Sequence, residues 1–190
     1  EKEVAVVNTL FSKQVDGIIF MGYHLTEKIR SEFSRSRTPV VLAGTVDVEH
    51  QLPSVNIDYK NATADAVRHL LKRNKKIAFV SGPLVDDING KIRLVGYKEA
   101  LKAAGVNYSE GLVFESKYHG VSVPEDFEII TSDDSQIARF TRPSLTTIAQ
   151  PLYDLGAISM RMLTKIMHKE ELEEREVLLP HGLTERKSTR

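Results

Sequence analysis

Two charge constellations offer the most chemistry in this chain. Asp133 and Asp134 stand side by side after the apolar run FEIIT, and open α/β sheets present groups to ligands at the carboxyl ends of their strands. Carboxylates placed there can accept hydrogen bonds from a hydroxylated ligand. Local sequence favours the plainer reading, an ordinary loop or an N-cap for a short helix over 136–140. Arg161 and Lys165 stand at i and i+4 of a helical segment and so share one face about one turn apart. Like charges at that spacing cost an isolated helix about 0.2–0.5 kcal/mol. The cost is small, so a solvated polar face is the ordinary reading and a grip on an anion the sharper one.

Arg93, four residues before Tyr97 in RLVGY, can hold a hydroxyl or phosphate through its planar fork of donors. It reads equally well as a solvated first-turn arginine. Ser81 to Pro83 forms a glycine-containing turn without the Lys and glycine spacing of a phosphate loop. Histidines at 24, 50, 69, 119, 168 and 181 follow no metal-ligand spacing, and there are no cysteines. His69 reads as a packed or half-exposed residue beside Leu70 and Leu71. No serine stands in a nucleophile elbow, and no base is fixed beside a nucleophile. Neither an enzyme, a metal site nor a cofactor is expected.

At 190 residues, 41% hydrophobic and 27% charged, the chain can bury one or two compact cores. Its 26 basic and 26 acidic residues cancel, leaving no cationic field to gather a polyanion and no evident DNA-binding surface. No apolar run approaches the roughly 18 residues of a membrane span, and EKEVAVV has no signal-peptide layout. A soluble, cytoplasmic protein is the expectation.

Short β-branched runs alternate with amphipathic segments of helix length, the pattern of parallel strands joined by crossover helices. Strands are expected over 17–21, 39–43, 54–57, 76–81, 127–131 and 145–148, mostly continuous apolar runs as buried parallel strands should be. Helices are expected over 26–34, 59–73 and 91–104, with Gly105 as a stop. Leu155, Ile158, Met162 and Ile166 form the apolar stripe of a last long helix entered at Pro151. A charged connection over 169–176 then leads to a final strand over 177–183. One stretch reads incompletely: a turn and strand over 111–118 meet HGVSVPED, which reads as the tail of a helix whose body is absent.

Ordered phrases along the chain resemble the regulatory core of LacI/GalR-family transcription regulators. They are VDGIIFMG, TPVVLAG, PSVNIDY, KKIAFVSGP, RLVGYKEAL, VPED with SLTTIAQP, and LPHGLTERKST. The resemblance implies a periplasmic-binding-protein-like (type I) core of two similar parallel-sheet subdomains, 1–58 with 148–172 and 59–147 with 173–190. It places an N-terminal helix-turn-helix head, and the opening strand and helix of the core, upstream of Glu1. It also sets some tens of residues between Tyr118 and His119. It implies a homodimer that binds operator DNA through that head.

Within the family the likeness is greatest to the branch serving carbon catabolite repression. There the positions of Arg161 and Lys165 receive the phosphoserine of a Ser-phosphorylated HPr-type protein, with Tyr153 and Asp154 as further contacts. Asp133 matches the carboxylate that accepts from a sugar hydroxyl or purine group, and Arg93 matches a basic residue of the effector cleft, where a sugar phosphate is the expected ligand. Thr131 and Ser132 depart from the Gly and aromatic residue common in the family. The competing reading is a solute- or sugar-binding protein of a transport system, which would share the core.

Overall fold

The structure is a computed structural model that describes residues 2–22, 24–74, 76–81, 87–115 and 128–189. In chain order its first elements are α1 (Lys2–Ser12), β1 (Ile18–Phe20), α2 (Glu27–Arg35), β2 (Val40–Ala43), β3 (Ser54–Ile57), α3 (Tyr59–Leu71) and β4 (Phe79–Ser81). A π-helical stretch, Asp87–Ile92, runs directly into α4 (Arg93–Ala103), and a 3-10 turn, Glu110–Leu112, leads into β5 (Val113–Glu115). Then follow β6 (Ile130–Thr131), α5 (Gln136–Phe140), β7 (Thr146–Ala149), α6 (Leu152–Met167), β8 (Glu176–Leu179) and β9 (Gly182–Thr184). The chain divides into two compact units, Glu1–Asn56 with Leu152–Leu179 and Ile57–Pro151 with Pro180–Arg190.

The sheet of the first unit has the order β1-β2-β3-β8, with β1, β2 and β3 parallel and Ile18 registered on Val40. Val40, Val41, Leu42 and Ala43 are all buried, as befits a strand covered on both faces. Helix α2 opens on an N-cap in which Ile29 N donates to Thr26 Oγ1 at 3.3 Å. It packs Ile29 and Phe33 into a cluster with Val7, Ile18, Leu25, Val40 and Leu42. Helix α1 is not among the elements expected from the sequence. Its Val4, Val7 and Phe11 recur at helical spacing and face that same cluster.

Two turns of the chain differ from expectation. The expected strand over 177–183 is two strands in different sheets, because Pro180 interrupts it and has no N–H to donate. The chain leaves the first unit after Leu179 rather than at 172, since Ser54 N donates to Arg175 O at 2.8 Å and β8 joins β3. The return from the second unit falls after Pro151 rather than at 147, with β7 wholly in the second unit.

Helix α6 ends in a Schellman turn: Lys169 N donates to Ile166 O and Glu170 N to Lys165 O, each at 2.9 Å. Lys169 takes φ 61°, the left-handed conformation that glycine adopts without a Cβ penalty. Lys169→Gly is therefore expected to raise stability by about 0.5 kcal/mol, the relief of strain slightly exceeding the added unfolded-state entropy. A urea titration measures this; a lowered midpoint would show that the lysine side chain itself holds the turn.

In the second unit, α3 packs against α4. Asp58 caps α3, accepting from Asn61 N at 2.9 Å, and Ala64, Val67, Ile77, Tyr97, Ala100 and Leu101 form the core cluster. Tyr97 is fully enclosed, donating to Ile77 O at 2.8 Å and stacking on Phe79 at 5.2 Å between centroids. One sheet pairs β4 and β5 in parallel; another pairs β6 with β7 in parallel and β7 with β9 antiparallel. The C-terminal residues lock that sheet. Ser188 Oγ accepts from Thr146 N at 2.7 Å and donates to Ile129 O at 2.6 Å. No helix among the described residues is long and apolar enough to cross a membrane. The junction between Tyr118 and His119, and the turn after Ser81, lie outside the described residues.

Candidate functional site

Helix α6 buries Leu155, Ser159, Met162 and Leu163 and lies against β1 and β2. The contact is close: a Cβ on Gly17 would stand 2.9 Å from Leu163 Cδ1. Anchoring that stripe fixes what the other face presents. Tyr153 is 86% exposed, and Asp154, Met160 and Arg161 are exposed with it. Arg161 makes no hydrogen bond or ion pair among the described residues. Lys165, one turn on, is less open: its side chain is 35% exposed and its Nζ lies 3.6 Å from Glu173 Oε1. The Schellman turn brings Glu173 there by folding the acidic segment back along the last helical turn. Chemically the face offers one uncommitted guanidinium, one ammonium held by an exposed pair worth little in water, and an aromatic with a polar tip.

The two aspartates of the second unit have separate roles, and neither caps α5. Ser135 occupies that N-cap position and makes no side-chain capping bond. Asp134 pairs with Arg186, accepts from Arg139 and from Thr147 Oγ1 at 3.1 Å each, and is held by Arg186 below the usual carboxylate range. It is thus a structural tie between the C-terminal segment, α5 and β7. Asp133 is exposed and accepts from Gln150 Nε2 at 2.9 Å, while the same amide donates to Ser132 O at 3.2 Å.

Arg93 is 7% exposed, which excludes the solvated first-turn reading. The π-helical stretch before α4 sets it inside continuous helix rather than at a free end. Its guanidinium carbon lies 5.1 Å from the centroid of the Tyr59 ring, at the start of α3. Burial pushes the Tyr59 phenol up to about 12; Arg93 opposes that rise and the charge of Asp133 adds to it. The charges of Arg93 and Asp133 thus both act on Tyr59, and the sequence singles out Arg93 and Asp133 but neither Tyr59 nor Gln150. An aromatic placed directly after the cap Asp58, where β3 ends, is the signal for Tyr59. Gln150 carries none in isolation.

Two histidines stand beside carboxylates: His181 Nε2 lies 2.9 Å from Asp65, and the half-buried His69 lies 3.5 Å from Glu185. Among the described residues no three His, Cys, Asp or Glu converge on a point that could hold a metal.

Residues 1–119 match the family described as periplasmic binding proteins and sugar binding domain of LacI family, and 108–189 match the periplasmic binding protein-like domain. Catabolite control protein A of Streptococcus mutans is 59% identical over 227 residues, covering 100% of this chain and 68% of that protein. Among solved structures, the transcription regulator CcpA of Lactococcus lactis superposes with a TM-score of 0.92 at 43% identity, covering 100% of this chain and 83% of that one. The transcriptional regulator CelR in complex with cellobiose gives 0.86 at 25% identity, covering 97% of this chain and 69% of that one. The α/β fold is thus periplasmic-binding-protein-like. These relatives are transcription regulators and not enzymes, which favours regulation over the transport-protein reading.

Proposed function

Because this chain belongs to the LacI family of transcription regulators, we propose that it is the regulatory core of a carbon-catabolite regulator activated by a Ser-phosphorylated HPr-type protein docked on α6. The observation that carries the reading is the outward face of that helix. It presents Tyr153 and Asp154 in the first turns, an uncommitted Arg161, and Lys165 one turn later. A phosphoserine brings a charge of about −1.5 to −2 and three strong acceptor oxygens. A guanidinium gives it a bidentate grip and an ammonium a second charge. Docking shifts the population toward the state that binds operator DNA. The protein acts in the cytoplasm as a homodimer, through helix-turn-helix heads joined to the core.

The test is binding of an HPr-type protein in its two forms, by calorimetry. The phosphorylated form is expected to bind more tightly. Arg161→Ala should weaken it by about ten-fold or more, the worth of one charge-assisted hydrogen bond. Equal affinity for both forms, or an unaffected variant, would sink the reading.

A small-molecule effector site is proposed beside it, in the second unit. A buried guanidinium at Arg93 suits a phosphate and the exposed carboxylate of Asp133 suits sugar hydroxyls, so a sugar phosphate is the ligand class. That CelR is described in complex with cellobiose supports a sugar-type ligand.

A further inference from the structure

We propose that Tyr59 is the positioning residue for Arg93: its ring is a platform that holds the guanidinium in the orientation needed to grip an anionic ligand group. The inference rests on the effector reading above and adds to it a residue and a mechanism.

Three observations carry it. Tyr59 is itself immobilised: it is the first residue of α3, directly after the cap Asp58, and it is 4% exposed. Arg93 is also buried, and it reaches the ring from α4, the helix packed against α3. Its guanidinium carbon is 5.1 Å from the ring centroid, within the range of a cation–π contact. Burial makes the contact count, because such contacts strengthen when water is excluded.

Stacking engages the π face of a guanidinium, whereas its N–H donors lie in the plane. A ring beneath Arg93 can thus set the orientation of the donor fork without competing for the ligand's oxygens. Restricting a long side chain before the ligand arrives reduces the ordering entropy lost on binding. The phenolic hydroxyl is not required for this role, whereas the ring is. That distinction separates Tyr59→Phe from Tyr59→Leu.

The experiment uses the full chain and glucose 6-phosphate as probe, with glucose as its uncharged control. Calorimetry is run on the parent, Tyr59→Phe, Tyr59→Leu and Arg93→Gln, and the Arg93 side-chain Nε–Hε resonance is followed by NMR. The expected result is an upfield ring-current shift of that resonance in the parent and Tyr59→Phe, lost in Tyr59→Leu. Affinity for glucose 6-phosphate should stay within about two-fold in Tyr59→Phe and fall about ten-fold in Tyr59→Leu, with glucose binding unmoved. If Arg93→Gln loses the probe while Tyr59→Leu binds it like the parent, Tyr59 is not the positioning residue although the effector reading stands. If the parent does not bind the probe, or Arg93→Gln binds it unchanged, the effector reading falls and this inference with it. Should Tyr59→Leu fail to fold, the parent spectrum decides: an unshifted Arg93 resonance overturns the proposal.

Discussion

Asp47→Ala is expected to cost the first unit about 3–5 kcal/mol, the penalty for leaving a buried cation without its counter-charge. Asp47 and Arg30 are both buried, and the Arg30 guanidinium pairs directly with the carboxylate. The same carboxylate accepts from the backbone N–H of Glu49 at 3.1 Å and of Gln51 and Leu52 at 2.9 Å each. Removing it strands those amides as well as Arg30. Glu49 lies 3.2 Å from Arg30 but is half-exposed, so it replaces only part of the lost interaction. Urea denaturation measures the cost; a loss under about 1 kcal/mol would mean that Glu49 takes over the guanidinium.

The same group sets an acid limit. Burial alone would raise the Asp47 pKa, yet the backbone amides and Arg30 outweigh it and hold the carboxyl below its ordinary value. A folded pKa below the unfolded one makes a stabilising contribution that is fully present above the unfolded value, about 3.9. It is lost as pH falls through the folded value. Asp134, lowered chiefly by Arg186, acts in the same direction in the second unit. Stability should therefore be flat from neutral pH down to about 5 as far as these two groups are concerned, then decline below about 4. In Asp47→Ala the part of that decline due to the first unit should disappear.

Gly96→Ala should destabilise the second unit by about 2–3 kcal/mol, although helix propensity predicts the opposite sign. Exchanging Gly for Ala inside a helix such as α4 ordinarily gains about 0.8–1.0 kcal/mol. Here a Cβ would stand 2.1 Å from the carbonyl oxygen of Lys60 and 3.2 Å from its Cα. Both are backbone atoms of α3, which cannot swing aside as a flexible side chain does. The two helices would have to separate by about 1 Å, and overpacking of this kind typically costs about 1–3 kcal/mol. Since Tyr59 is next to Lys60 and Arg93 is one turn before Gly96, the displacement also pulls the platform from under the guanidinium. Gly96→Ala is thus expected to weaken sugar-phosphate binding along with stability. Thermal unfolding checks the first effect, and a variant as stable as its parent would show that the helices are not in such close contact.

Gly96 shows where reading a sequence stops. RLVGY is recognisable as a helical phrase, but its glycine looks like a weak point of the helix until α3 is seen against it. The strand at Val40–Ala43 is legible as a continuous β-branched apolar run and the stripe of Leu155 and Met162 as an apolar repeat of helical period, and both patterns are printed in the chain. Helix α1 carries the same kind of spacing in Val4, Val7 and Phe11, but it is absent from the expected elements. The adjacent aspartates were not. Their types are identical and their neighbours local, while Asp134 is claimed by Arg186 from the far end of the chain and Asp133 accepts from Gln150.

The chain alone determined the class of fold, the family, the absence of a metal-ligand pattern, and the sharing of one helix face by Arg161 and Lys165. The family rests on the resemblance of ordered phrases along the chain, and the others rest on residue type and on separations of a few positions. Tertiary structure alone decided that Arg93 is buried on Tyr59, that Lys165 is partly engaged by Glu173, that Asp134 is a structural tie, and that Pro180 divides a strand between two sheets. Each of these depends on groups brought together by packing. Which partner wins is set by burial and distance, quantities that no local pattern contains.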